Sequence, residues 1–535
     1  MNEPTVPTET EQIRDRLGAL AEVLGEDRVL TADPDLWAYN NDCSPRGIIL
    51  ARAGRLDEHR PAAVVQPADE EQVREVVEWA RRTGVPLVPY GAGSGVCRGA
   101  VPDERSVVVD LKRLDEVIEV DEEAAVARVQ PGVIGYEFER ELNRRGWTMG
   151  HYPSSLYCSS VGGYAAARSA GQLSSEYGKF EDMILSLRAV TGRGEVVETA
   201  PTGWHSSDAP GRGPNPTQLM VGSEGTLGLI TELTVELDEA PERRRYRGFE
   251  FGDLSTGLEA IRRLMQSGVT PTVVRLYDPP DTLVKGGDDS EAGLMDRLRA
   301  LADDHLPADL TDELREGARQ ARNAVARQVI GRPQLVNRVI DALGEASLLV
   351  VGFEGDDPRV EQRAEWAFDQ LARRGVDLGP GPGEHWRKHR FDVSYKQSPV
   401  FDTGAFVDTM EVSTTWDRLE DLYRAVRRAL TPHVLVLAHF SHVYPEGSSI
   451  YFTFVGYAEN DEATLELYRR VWREGLDAVA EAGGSITHHH GVGDLKSAWL
   501  EEDHSGGTEL FDALKESLDP DGIMNPGKLY EGRDP

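Results

Sequence analysis

The hydrophobic pattern changes character three times along the chain. Between Pro61 and Leu111, short apolar runs surround one helical period. Ala63–Gln66, Pro86–Tyr90 and Ser106–Leu111 predict strands, and Glu70–Thr83 (EEQVREVVEWARRT) predicts a helix. Upstream, residues 9–25 carry helical apolar spacing and predict one N-terminal helix, while Asp33–Arg60 reads as polar and irregular. Downstream come a strand at Ala124–Gln130, the turn Pro131-Gly132 and a helix at Tyr136–Arg145. A hairpin of Met183–Thr191 and Glu195–Glu198 then closes around Gly192-Arg193-Gly194. Composition shifts at APERRR (Ala240–Arg245), which marks a domain boundary.

Beyond that boundary the periods alternate. A helix at Thr256–Ser267 and a strand at Thr272–Leu276 lead into long helical material from Glu291 to Gly344. A strand at Ser347–Gly352 and a helix at Arg359–Arg373 follow, then the loop LGPGPGEHW (Leu378–Trp386). Strands at Phe406–Val412, Val434–His439 and Ser449–Val455 flank the helix Trp416–Leu430, and a helix at Ala463–Ala482 comes last. The order β-α-β-β-α predicts an antiparallel sheet with helices on one face, so the fold class is α+β. The helical stretch Gly331–Glu345 reads as an ordinary core-facing helix.

One stretch fits neither period. Gly150–Gly178, GHYPSSLYCSSVGGYAAARSAGQLSSEYG, is dense in Gly, Ser and Ala. Such a segment fills little core, but it lets backbone approach a ligand and offers amides and hydroxyls to an extended polar molecule. GAGSGVCRGA (Gly91–Ala100) and GSEGTLG (Gly222–Gly228) repeat the theme. The first lies between two strands, whereas a Rossmann glycine loop opens a helix, so that reading is poor. Three glycine-rich segments in one half of the chain suit a single dinucleotide cradle.

Composition narrows the field. A chain of 535 residues needs two or more domains. The net charge of -34 argues against nucleic acid and against docking on anionic lipid. Cys43, Cys97 and Cys158 show no CxxC spacing, which gives no metal motif and suits a reducing compartment. MNEPTVPTETEQ does not read as a signal or transit peptide, and no apolar run is long enough for a membrane span, so a cytoplasmic protein is expected.

Candidate chemistry sits in the second half. SITHHHGVG places His488, His489 and His490 in a row between glycines, suited to proton transfer near neutral pH. HFSHVYPEGSSIYFTF holds His439, His442, Tyr444 and Tyr451. Tyr451 lies in an apolar strand, where an aromatic usually serves the core. The HxxH of His439 and His442 has no third ligand at a familiar metal spacing. Arg275, inside VVRLYD, must be paired or bind an anion.

Several stretches match one family in order. PLVPYGAGSG, PSSLYCSSVGG, EYGKFED, GSEGTLGLITE and the terminal LDPDGIMNPGK resemble the FAD-binding fold of the vanillyl-alcohol-oxidase/PCMH superfamily. Within it, GHYPSSLYCSSVGG, VVRLYD, TTWDRL, IYFTF and SITHHHGVGDLKSAWL are most similar to the alkyldihydroxyacetonephosphate synthases of ether-lipid synthesis. The resemblance implies a two-part PCMH-type FAD-binding domain plus an α+β cap domain. The boundaries it implies are an N-terminal arm at 1–58, the FAD domain at 59–240, the cap at 241–498 and a returning C-terminal segment at 499–535.

It further implies non-covalent FAD. In that family the acyl group of acyl-dihydroxyacetone phosphate is exchanged for a fatty alcohol through a flavin N5 adduct. Carried over by motif, Tyr451 is the general acid/base, His488, His489 and His490 assist, and Arg275 supports the geometry. The flavin is held by Pro89, Tyr90, Gly91, Ala92, Gly93, Ser94 and Gly95 and by His151, Ser154, Ser155, Ser159, Ser160 and Gly162. Ala167, Arg168, Ser169, Ala170, Gly171, Tyr177 and Gly178 continue the cradle, and Glu224, Gly225, Thr226, Gly228 and Ile230 close it. Lipid-like small-molecule substrates and a homodimer are implied as partners, with no nucleic acid and at most peripheral membrane contact.

Two positions depart from the animal enzymes: Ser154 stands where they carry Asp, and Gln397, beside Lys396, where they carry an active-site Arg. Gln397 and Lys396 are the candidate substrate residues. The alternative is an FAD-dependent D-2-hydroxyacid dehydrogenase or oxidase of the D-lactate or glycolate type. Those enzymes hold a metal with a His and a Glu, where this chain shows Tyr451 and His489. No metal is expected, and Cys97 and Cys158 are expected as ordinary small residues rather than flavin attachments.

Overall fold

The structure is a computed structural model and describes residues 8–199, 214–285, 323, 326–355, 358–392 and 398–531. The chain divides into two compact units. The first comprises Met1–Gly171, Gly178–Ala240 and Thr487–Pro535, and the second Gln172–Tyr177 and Pro241–Ile486.

The first unit contains two principal sheets. In one, the strands Ala63–Val65, Val107–Asp110 and Leu87–Tyr90 run parallel in that order, with Val29–Leu30 antiparallel at the edge. Buried on both sides, these strands read as continuous apolar runs, as parallel sheets do. The helix Glu70–Thr83 begins where the Asp69 carboxylate accepts the Gln72 amide and ends at Gly84 in the left-handed region. It buries Val73, Val76, Val77 and Ala80 against the sheet. The other sheet is antiparallel, in the order Val117–Asp121, Val126–Val129, Gly228–Glu236, Ile184–Thr191, Val196–Glu198. The C-terminal turn returns beside Leu87, whose amide donates to Ile523 and whose carbonyl accepts from Asn525.

The second unit is a seven-stranded antiparallel sheet. Its order is Val376–Gly379, Arg243–Phe251, Ser347–Gly355, Val273–Tyr277, Leu435–Val443, Gly447–Gly456, Phe406–Thr415. The helices Leu419–Leu430 and Asp461–Glu481 pack on its last strands, and Arg359–Ala372 on Arg243–Phe251 and Ser347–Gly355. Along Gly447–Gly456, Ile450, Phe452 and Phe454 are fully buried, with Phe452 stacked on Tyr423 and Phe454 edge-on to Trp472. The intervening residues Tyr451 and Thr453 therefore occupy the other face. The α+β class is thus the architecture of this chain, in two units.

Several local expectations are corrected. The N-terminal helix is two helices, Glu9–Arg14 and Gly18–Leu24, with Leu17 between them turned into the core. Asp33–Arg60 contains helices at Asp33–Trp37 and Pro45–Arg52, each opened by a proline in its first turn. The supposed loop at 378–386 is the end of an edge strand followed by the helix Gly381–His389. Arg243–Phe251 is a strand beginning at the composition break. The edge strand Val117–Asp121 escaped notice because none of its residues is fully buried. The core-facing helix is Pro333–Leu343, but its Leu335 and Val339 are exposed and the buried residue is Asn337. Most of the helical material expected from Glu291 onward lies outside the described residues.

Asp408, in Phe406–Thr415, accepts Tyr468 Oη at 2.9 Å and Trp472 Nε1 at 3.0 Å, both donors buried. Asp408→Ala strips both donors of this acceptor. It is expected to lower the unfolding free energy of the second unit by about 3 kcal/mol, read from urea unfolding followed by tryptophan fluorescence.

Candidate active site

In the first unit the chain leaves the parallel sheet at Tyr90 and enters the loop Gly91–Gly95. The Tyr90 phenol packs beneath this loop in the space a Cβ at Gly93 would need, and Gly93 takes a φ of +66°. A Cβ at Gly91 would collide with Ser160, so the loop lies against the serine-rich segment. Ser159 Oγ donates to Ser94 Oγ at 2.8 Å, and Ser160 caps the short helix Val161–Ala167. The amides of Ala92, Gly93, Ser94 and Gly95 donate to no described residue. The nearby Asp42 carboxylate is taken up by the Ser44 and Arg98 amides at 2.9 and 2.7 Å. A row of unspent backbone donors beside hydroxyls suits an anion.

The remaining cradle residues divide between lining and framework. Ser154 is exposed, Ser155 partly so, and Gly162 is buried against Pro131. His151 is fully buried, its Nε2 3.2 Å from Ser169 Oγ and its ring against Tyr164 and Phe180. Burial, and secondarily the imidazole of His489, pulls its pKa down to about 3, so the ring is neutral. Its Nδ1 has no partner among the described residues. Arg168, in the left-handed region, spends its guanidinium on Gln218 and Glu181, and Ala170 and Gly171 are buried beside it in the turn. Thr226 is fully buried with its hydroxyl on Ser223, and Gly228 and Ile230 belong to the strand paired with Ile184–Thr191. Tyr177 belongs to the second unit and Gly178 to the first.

Glu224 turns out to be a tie. Its carboxylate accepts the amides of Val492 at 2.6 Å and Gly493 at 2.8 Å, and its carbonyl accepts Asn525 Nδ2 at 2.6 Å. Burial raises its pKa, offset by those two amides and by Lys528 and Lys496. The bond pair fixes the glycine turn that follows the histidines. His488, His489 and His490 lie on bends with half-buried rings, His488 Nδ1 3.0 Å from His489 Nδ1. Asp494 continues the tie: it pairs with Arg98 at 2.6 Å and Lys528 at 3.2 Å, and although burial opposes it, those cations hold its pKa down near 2.

In the second unit, the sheet face that excludes Phe452 and Phe454 gathers polar groups. Tyr451 is flanked in the ladder by His439 on one side and Glu411 on the other. Burial pushes the Tyr451 phenol up to about 12, moderated by a hydrogen bond with Thr409 and by the Arg275 charge. Arg275 lies over the Tyr277 ring, and its Nη2 is 3.4 Å from His439 Nδ1. His442 instead meets Ser174 Oγ through Nδ1 at 2.7 Å, so the two histidines of HxxH serve different partners. Glu411, fully buried, was not singled out from the sequence. Its signal was an acid in the run FVDTMEV. Gln397 and Lys396 lie outside the described residues.

A family model described as an FAD binding domain matches residues 61–200, and one for the C-terminal domain of FAD linked oxidases matches residues 240–529. The chain belongs to the FAD-linked oxidase family. Like other members it is an FAD-dependent enzyme, and the unspent amides of Ala92–Gly95 and the bare Nδ1 of buried His151 fit that cofactor. Among its relatives, the alkyldihydroxyacetonephosphate synthase of Trypanosoma brucei brucei is 30% identical over 90% of this chain and 75% of its own length. The glycolate oxidase subunit GlcD of Bacillus subtilis is 25% identical over 88% of this chain and 89% of its own. A solved alkyldihydroxyacetonephosphate synthase superposes with a TM-score of 0.71 at 25% identity, covering 98% of this chain and 86% of that one. Solved p-cresol methylhydroxylase, at 16% identity and a TM-score of 0.70, covers 98% of this chain and 97% of its own and shares the fold. This FAD-linked oxidase family member is thus more similar in sequence to the trypanosomal synthase than to the glycolate oxidase subunit. No described helix is long and apolar enough to cross a membrane.

Glu224→Gln would keep an acceptor for one of the two backbone donors and face an amide NH2 toward the other. It is expected to weaken FAD binding about 10-fold, measured by flavin fluorescence as apoprotein is titrated.

Proposed function

We propose that this enzyme exchanges the acyl group of an acyl-dihydroxyacetone phosphate for a fatty alcohol, releasing a fatty acid. The observation that carries the reading is Tyr451, a half-buried phenol on a polar strand face beside a guanidinium. The similarity to alkyldihydroxyacetonephosphate synthases over most of the chain supports it.

Gly91–Gly95, Ser159, Ser160 and the neighbouring turns would hold FAD non-covalently, and when bound it would supply an electron-poor ring to activate the substrate carbon. The chain's own groups handle protons and charge. A phenol with its pKa near 12 is protonated at neutral pH, so Tyr451 enters the cycle as a donor at Oη. The base that takes the substrate's carbon-bound proton is then an imidazole of His488, His489 or His490, whose ordinary pKa lies near neutrality. Arg275 offers positive charge to the departing carboxylate. Gln397 and Lys396 stay the candidate substrate residues by resemblance alone, and an amide recognises phosphate less strongly than a guanidinium does.

The second reading, oxidation of a D-2-hydroxy acid, draws on the glycolate oxidase similarity. Purified holoenzyme under anaerobic conditions separates the two. Palmitoyl-dihydroxyacetone phosphate is expected to bleach the visible flavin band, with fatty acid released and colour restored by hexadecanol. Bleaching by D-lactate, reversed only by an electron acceptor, would establish the dehydrogenase instead. Tyr451→Phe is expected to retain FAD and to lose turnover by about 100-fold or more. Full activity in that variant would remove the proton-transfer role.

A further inference from the structure

The strand face that carries Tyr451 also holds His439, to which no role has been given. His439 stands opposite Tyr451 in the ladder, 5% exposed, its ring stacked on the phenol ring at 4.8 Å and 26°. Its Nδ1 lies 3.4 Å from Arg275 Nη2. A guanidinium only donates, so this contact is a hydrogen bond only when Nδ1 is bare. The imidazole hydrogen then sits on Nε2 and the ring is neutral. The competing arrangement, a protonated ring donating from Nδ1 to Asp281, spans 3.8 Å and places two cations side by side. Tyr277 also faces the ring, 6.0 Å away between centroids, and Glu411 lies beyond Tyr451 on the next strand.

We propose that His439 is a positioning residue for Tyr451: Arg275 fixes the imidazole in its neutral Nε2–H form, and the imidazole face fixes the plane of the phenol. This rests on the reading of Tyr451 as the proton-transfer group and deepens it. Neutrality matters because an imidazolium under the phenol would add a second cation beside Arg275 and strip Tyr451 of its proton more easily. Stacking matters because a cross-strand aromatic pair favours one ring orientation, and Glu411, the ladder partner on Tyr451's other side, offers no ring to stack on.

The test uses FAD-loaded full-length protein. His439→Ala is expected to lower kcat about 100-fold with KM within about twofold, the signature of a misplaced group rather than lost binding. His439→Phe keeps a stacked ring and is expected to lose only about 10-fold. Nitrogen NMR of 15N-histidine-labelled protein reads the tautomer independently of turnover, the His439 signal being the one that vanishes in the phenylalanine variant. It is expected to report a neutral Nε2–H ring at pH 7 that becomes a tautomer mixture in Arg275→Met. An imidazolium in the wild type, a spectrum indifferent to Arg275→Met, or equal losses in the two His439 variants would overturn the proposal. Should the alanine variant lose FAD or its unfolding transition, the phenylalanine variant and the tautomer spectrum decide. Full turnover in Tyr451→Phe would count against the catalytic reading alone, since the tautomer spectrum would still answer for Arg275 and His439.

Discussion

The carboxylate of Glu224 is the constraint on which the flavin-side unit closes. It is buried, sits on a backbone in the left-handed region, and receives two amides from the turn after the histidine row. Its own carbonyl receives Asn525, whose amide nitrogen also reaches Gly99. Segments more than two hundred residues apart in sequence are thereby brought to one point. The turn they meet at needs Gly491 and Gly493, because a Cβ at either would strike Glu224 or the Cys97 carbonyl. A charge this deep is tolerable because backbone donors and two lysines surround it.

The second unit reaches its chemistry by a different rule. Strand alternation hands Phe452 and Phe454 to the helices and Tyr451 to the opposite face. Register then sets His439 and Glu411 beside it, and Arg275 comes from the strand that pairs with His439's own. No loop is involved in placing these four side chains, so their spacing is as rigid as the ladder itself.

This contrast explains what could be read in the chain without coordinates. The glycine-rich loop was legible because glycine advertises close approach: Gly93 is where the loop crosses the Tyr90 ring, and its residue type says so. The central helices and strands were legible from their periods, as with Glu70–Thr83. The helix Gly381–His389 was not, because its prolines and glycines mimic a loop while two of them in fact open a helical first turn. His439 was visible as a residue but not as a neighbour of Arg275 and Tyr451, since cross-strand adjacency depends on register. Glu224 was picked out as a cofactor residue, yet its carboxylate answers to backbone that arrives much later in the chain.

The first unit is assembled from three stretches of chain, with Pro241–Ile486 set between two of them and Gln172–Tyr177 lent to the other unit. In the vocabulary of gene architecture, the sequence between Ala240 and Thr487 is an insert whose two ends are fixed by the host. Changes inside it can rewrite which side chains stand on the sheet face while the glycine loop, the serine segment and the Glu224 tie keep their own local partners. Enzymes with one cofactor and divergent chemistries could descend from such an arrangement by mutating the insert alone. The same discontinuity means that no single cut releases the flavin-side unit as a continuous fragment, so its evolution and that of the insert are separable while its synthesis is not.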